Sequence, residues 1–129
     1  MPKITGTIQH NDWDEKPHFA AGAAKLNRAD INCVFAGDLV GTARTTFVLA
    51  YPSETYAHYA GYLFVEGAIG DKAGSFVIYE HGDWEGGVAR TNWTLVKNSG
   101  TGDFAGISGT GSYAAEHDKT VHYTIEYTL

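Results

Sequence analysis

The sequence predicts an all-β protein, an antiparallel meander of eight or nine strands closed into a barrel, with a β-sandwich as the alternative. Three observations carry that expectation. No window holds a helical period over roughly 11 residues. Apolar and polar residues alternate through most of the 129-residue chain, the pattern of strands with one dry face and one wet face. Short clusters of Gly, Asn, Asp and Pro separate the alternating runs, which makes chain neighbours antiparallel neighbours.

The elements follow in order. Strands are expected at 3–9 and 13–20, parted by the turn signal "HND". Residues 21–25, "AGAAK", offer the only place for a helical turn. Strands then follow at 26–37, 43–51, 56–69, 74–84 and 88–97, with "GDLVG", "YPSE", "GDKAG" and "DWEGG" between them. After the glycine-rich stretch 98–112 come strands at 107–115 and 120–129, parted by "EHDK". The last strand alternates most cleanly: Val121, Tyr123, Ile125, Tyr127 and Leu129 share one face. So many strands without a helix must close or stack to hide their edges. The length suits a single domain over 1–129 that can build its core without metals or disulfides.

Hairpin register assigns the faces. Pairing Ile69 with Gly74 sets Leu63 opposite Glu80. Pairing Trp84 with Gly87 sets Glu80 opposite Thr91. A hairpin around "LVG" pairs Phe35 with Thr45. The implied interior contains Ile31, Cys33, Phe35, Phe47, Leu49, Tyr59, Leu63, Val65, Phe76, Ile78, Trp93, Leu95, Tyr113, Tyr123, Ile125 and Tyr127. It also contains one carboxylate, Glu80. Val48, Phe64 and Val77 are expected on the outer face, where they would suit a homo-oligomer contact.

Composition narrows the function classes. A net charge of -6 argues against nucleic acid or an anionic membrane as partner. The N-terminus lacks the apolar core of an export signal, and no run approaches the roughly 20 apolar residues of a membrane helix. With a single cysteine, Cys33, these features point to a cytoplasmic protein. The six histidines show no metal-ligand spacing, so neither a metal nor a cofactor is expected. Gly100-Thr101-Gly102-Asp103-Phe104-Ala105 fits the dinucleotide-loop pattern, but no helix former follows it. Its glycines are read as turn and bend residues.

Glu80 is the candidate catalytic residue. A carboxylate on an apolar face has its pKa raised by desolvation, which suits a general acid or base. Tyr59, Tyr113 and Tyr123 are candidate orienting groups, and Trp93, Phe47 and Phe76 candidate cavity walls, for a small hydrophobic ligand. Two functions fit: a cofactor-independent isomerase or cyclase, and a non-catalytic, lipocalin-like binder. A filled barrel acting through its surface is the third.

"FAGDLVG" (35–41), "GDKAGSFVIYEHG" (70–82) and "NSGTGDFAGISGTGS" (98–112) resemble a family of small bacterial proteins of unknown function, over about residues 5–127. That family is similar in fold to the allene oxide cyclases, which implies an eight-stranded meander barrel and a cofactor-free apolar cavity. The chain departs from the family pattern at Leu63-Phe64, where a Glu-Arg pair is usual, and at Glu80, where a His is usual.

Overall fold

A computed structural model describes residues 2–22, 24–117 and 119–129. The chain forms β1 (Lys3–Ala21), β2 (Ala24–Gly37), β3 (Leu39–Ser53), β4 (Tyr56–Ile69), β5 (Lys72–Glu85), β6 (Val88–Leu95), β7 (Thr101–Gly102), β8 (Ser108–Glu116) and β9 (Val121–Thr128). Eight of these pair antiparallel in chain order, and β9 returns to β1, so the sheet closes into a barrel. The short β7 lies outside the ring, paired only with β5. Closure hides the sheet edges that a sandwich would leave open.

The expected strands 3–9 and 13–20 are a single strand. The signal "HND" is a β-bulge and not a turn: the β1–β2 register shifts between Asn11 and Asp14. Asp12 adopts φ 56°, a left-handed conformation that Asp tolerates, and its carboxylate accepts a 3.1 Å hydrogen bond from Asn32 Nδ2. One extra residue reverses the faces that follow it, until a second register shift between Pro17 and Phe19 reverses them again. Residues 21–25 form no helical turn where they are described. Ala21 pairs with Ala24 across a hairpin turn at Gly22, and residue 23 lies outside the described residues.

The three expected hairpin registers are each displaced. Ile69 pairs with Lys72, Trp84 with Ala89, and Phe35 with Gly41. A two-residue turn at Gly70-Asp71 replaces the expected four-residue loop, and the second two-residue turn sits at Gly86-Gly87, one position later than expected. Each displacement is an even number of residues, so every side chain keeps its face. Of the expected interior, all members are buried except Tyr113, which is half-buried. The cross-strand partners do change. Leu63 faces Ile78, and Glu80 stands between Gly61 and Trp93.

The barrel has one filled end. The segment after β6 folds over it, placing Phe104 and Ile107 in the core. Phe104 is fully buried and packs edge-on against Phe76, with ring centroids 5.3 Å apart. Gly102, at φ 61°, makes the sharp turn. Asp103 locks it to the start of β5 by donating N–H to Ala73 O and accepting Ala73 N–H at its carboxylate. On the outer face Val48 and Phe64 are 44% and 42% exposed. Among the described residues no helix is long and apolar enough to cross a membrane.

Candidate functional site

The other end of the barrel is open. A cavity of about 360 Å³ lies there, within the size range of small-molecule sites. β3 and β4 supply Phe47, Leu49 and Tyr59 to its wall, and β8 supplies Tyr113. β1 supplies His10 and Trp13. The bulge at Asp12 allows both to face inward although three positions separate them. Trp13, 52% exposed, meets Phe47 edge-on at 5.5 Å and forms part of the lip.

The β1–β2 arm is anchored beside this lip by Glu15. Its Oε2 accepts hydrogen bonds from Tyr51 Oη and Asn27 Nδ2, each 2.7 Å, and its Oε1 accepts one from Trp13 Nε1 at 3.1 Å. All three donors are neutral, so none of them pairs the carboxylate with a cation. Burial, with the same contact, pushes the Tyr51 hydroxyl pKa up.

Below the cavity floor lies a buried polar layer centred on Glu80, which is 2% exposed. Its Oε1 accepts from Trp93 Nε1 and from Tyr113 Oη, both at 3.4 Å. Tyr113 Oη also shares a hydrogen bond with His10 Nε2 at 3.5 Å. A chain of polar groups thus runs from the buried carboxyl through the phenol to an imidazole on the cavity wall. Burial raises the Glu80 pKa to about 7, against the opposing pull of the two donors. Burial lowers that of His10 and raises that of Tyr113 well above its ordinary value. At neutral pH the layer therefore holds a carboxyl poised between its two forms beside a neutral imidazole and a neutral phenol.

Local sequence makes this arrangement fit. Glu80 has Gly61 as its neighbour on β4, where a Cβ would run into Phe47 and the Thr46 carbonyl of β3. Across from Trp93 stands Gly111. A Cβ there would come 3.1 Å from the indole, so this glycine of the "SGTGS" stretch gives Trp93 room to reach Glu80.

The sequence-selected residues do not share one surface. Phe47, Tyr59 and Tyr113 face the cavity. Trp93 and Glu80 lie one layer beneath. Tyr59 Oη is also engaged, sharing a 2.5 Å hydrogen bond with Thr91 Oγ1, and burial pushes its pKa up to about 12. Phe76 sits in the filled end against Phe104. Tyr123 Oη accepts the Leu39 N–H at 3.1 Å, tying β9 to the β2–β3 turn away from the cavity. Cys33 is a core thiol 3.5 Å from Thr45 Oγ1, its pKa pushed by burial up to about 11. Residues that sequence patterning missed are His10, Trp13, Glu15 and Trp84. The signal that would have found the first three is a continuous β1–β2 hairpin, read through the bulge. Among the described residues no group of three or more His, Cys, Asp or Glu is placed to hold a metal ion.

Residues 4–127 match the model of a family described as "Protein of unknown function (DUF3224)". A crystal structure of a protein with unknown function from the DUF3224 family of Shewanella oneidensis MR-1 superposes with a TM-score of 0.85 at 23% identity. The match covers 100% of this chain and 97% of that one. At that identity the likeness concerns the fold. No curated protein matches the chain.

Proposed function

The chain belongs to the DUF3224 family, which brings a barrel but no activity with it, and from the site itself we propose that it binds a small hydrophobic molecule at the open end. The observation that carries this reading is the cavity itself: a space of about 360 Å³ with an aromatic wall, in a barrel filled at the other end. Eight-stranded barrels hold one small ligand or side chains alone, and here only one half is filled. Burial of apolar ligand surface supplies the affinity, while His10 and Tyr113 are the polar groups that can orient the guest. Titration with the neutral fluorescent probe N-phenylnaphthylamine tests this. Saturable enhancement at one site is expected, and Ala115→Phe, which fills the cavity from β8, should abolish it. A probe response unchanged in Ala115→Phe contradicts the reading.

The Glu80–Tyr113–His10 chain favours a second, catalytic reading: cofactor-independent isomerisation of an enolisable carbonyl compound. His10 Nε2 takes the α-proton. Tyr113 protonates the carbonyl oxygen and is reprotonated by Glu80, leaving an enol, an imidazolium and a carboxylate. Reversal returns a proton to carbon. Positioning and exclusion of water carry such a step. In deuterated water the protein should speed deuterium uptake into cyclohexenone, and Glu80→Gln should remove most of the acceleration. Uptake at the buffer rate contradicts catalysis without touching the binding reading.

A further inference from the structure

The cavity wall selects by charge as well as by shape. Six aromatic side chains face it: Trp13, Phe47, Tyr51, Tyr59, Trp84 and Tyr113. Among the described residues, no lysine or arginine lines it. Its charged surroundings are mainly carboxylates, with one ammonium, Lys25 Nζ, over the Tyr51 ring. Glu54 stands on the rim, and Glu15 lies behind Trp13 and Tyr51, hydrogen-bonded only to neutral donors. Glu80 lies behind Tyr113. His10, the one imidazole on the wall, is held neutral at pH 7 by burial. The whole chain carries a net charge of -6. Aromatic faces carry negative quadrupole potential and attract cations, most strongly where water is excluded. Tyr51 already receives one: Lys25 Nζ lies 5.0 Å from its ring centroid.

We propose that the ligand of this cavity is an organic cation, an amine or quaternary ammonium group carried on a small hydrophobic body. The inference rests on the reading of the cavity as a binding site and adds the chemical class of its guest. An anionic amphiphile, such as a fatty acid, is disfavoured. Its carboxylate would meet Glu54, Glu15 and Glu80 with no cation on the wall to pair with it.

The wall offers its rings to the ammonium and its aliphatic and aromatic edges to the body of the ligand. Charge recognition is then separable from shape. Calorimetric titration of the full-length protein with phenyltrimethylammonium, its neutral isostere tert-butylbenzene, and the anion tert-butylbenzoate makes that separation. The ammonium compound should bind about tenfold more tightly than the isostere, and the benzoate should give no measurable heat. Trp13→Leu, at an exposed lip position that keeps apolar bulk, should weaken the ammonium compound severalfold more than the isostere. Equal affinity for ammonium and isostere, or an equal loss of both in Trp13→Leu, overturns the proposal while the hydrophobic binding reading stands. If none of the three compounds binds, both fall together.

Discussion

Glu80 is held where a carboxylate is least stable as an ion. Desolvation sets its pKa to about 7 in the fold, against 4.5 for an ordinary glutamate. The folded state therefore holds this proton more tightly than the unfolded chain. Stability from protonated Glu80 is fully present below about pH 4.5 and is lost as pH rises to about 7. A displacement of that size is worth about 3 kcal/mol. Glu80→Gln cannot ionise, so it should be more stable than the parent by up to ~3 kcal/mol near pH 8, with the gap largely closed near pH 5. Urea unfolding at the two pH values measures this, and a gap independent of pH contradicts it. His10 titrates in the opposite sense, its lowered pKa making stability rise with pH, and is common to both proteins. Cys33, Tyr59 and Tyr113, the other titratable neighbours, have raised pKa values and stay neutral throughout. Glu80 was legible from alternation alone, because it shares parity with Phe76 and Ile78. Its donors were not: Trp93 and Tyr113 become neighbours only through registers fixed by turn position.

At the scale of elements, parity survived where pairing did not. Displacing a hairpin by two or four residues leaves every face intact, which is why the interior could be read while cross-strand partners could not. β1 failed differently. Its bulge at Asp12 inverts the alternation midway, so one strand reads as two and His10 reads as a turn residue. The segment after β6 also escaped the strand pattern, because it acts as a plug and not as a strand. Its glycines serve the turn and its Phe104 serves the core. Phe104→Ala should cost about 3–5 kcal/mol, the range for a fully buried phenylalanine, measured by thermal or urea unfolding. A loss under about 1 kcal/mol would mean that the plug does not hold that end closed.

At the scale of the whole molecule, the barrel is divided into unlike halves. One end is sealed by aromatic packing around Phe76, Phe104 and Tyr123. The other opens onto a cavity ringed by aromatics and backed by carboxylates. The polar layer around Glu80 marks the boundary between them. Closure could be read from pattern and turn spacing. That a cavity opens at one end could not, because it depends on how side chains from eight strands meet across the interior. Binding at the open end is the central claim, and chemical-shift mapping of the isotopically labelled protein during titration with toluene tests it most directly. Saturable shifts are expected at His10, Phe47, Tyr59 and Tyr113, with Phe76 and Tyr123 unmoved. Absence of saturable shifts at those four residues, or shifts confined to Val48 and Phe64 on the outer face, would contradict it.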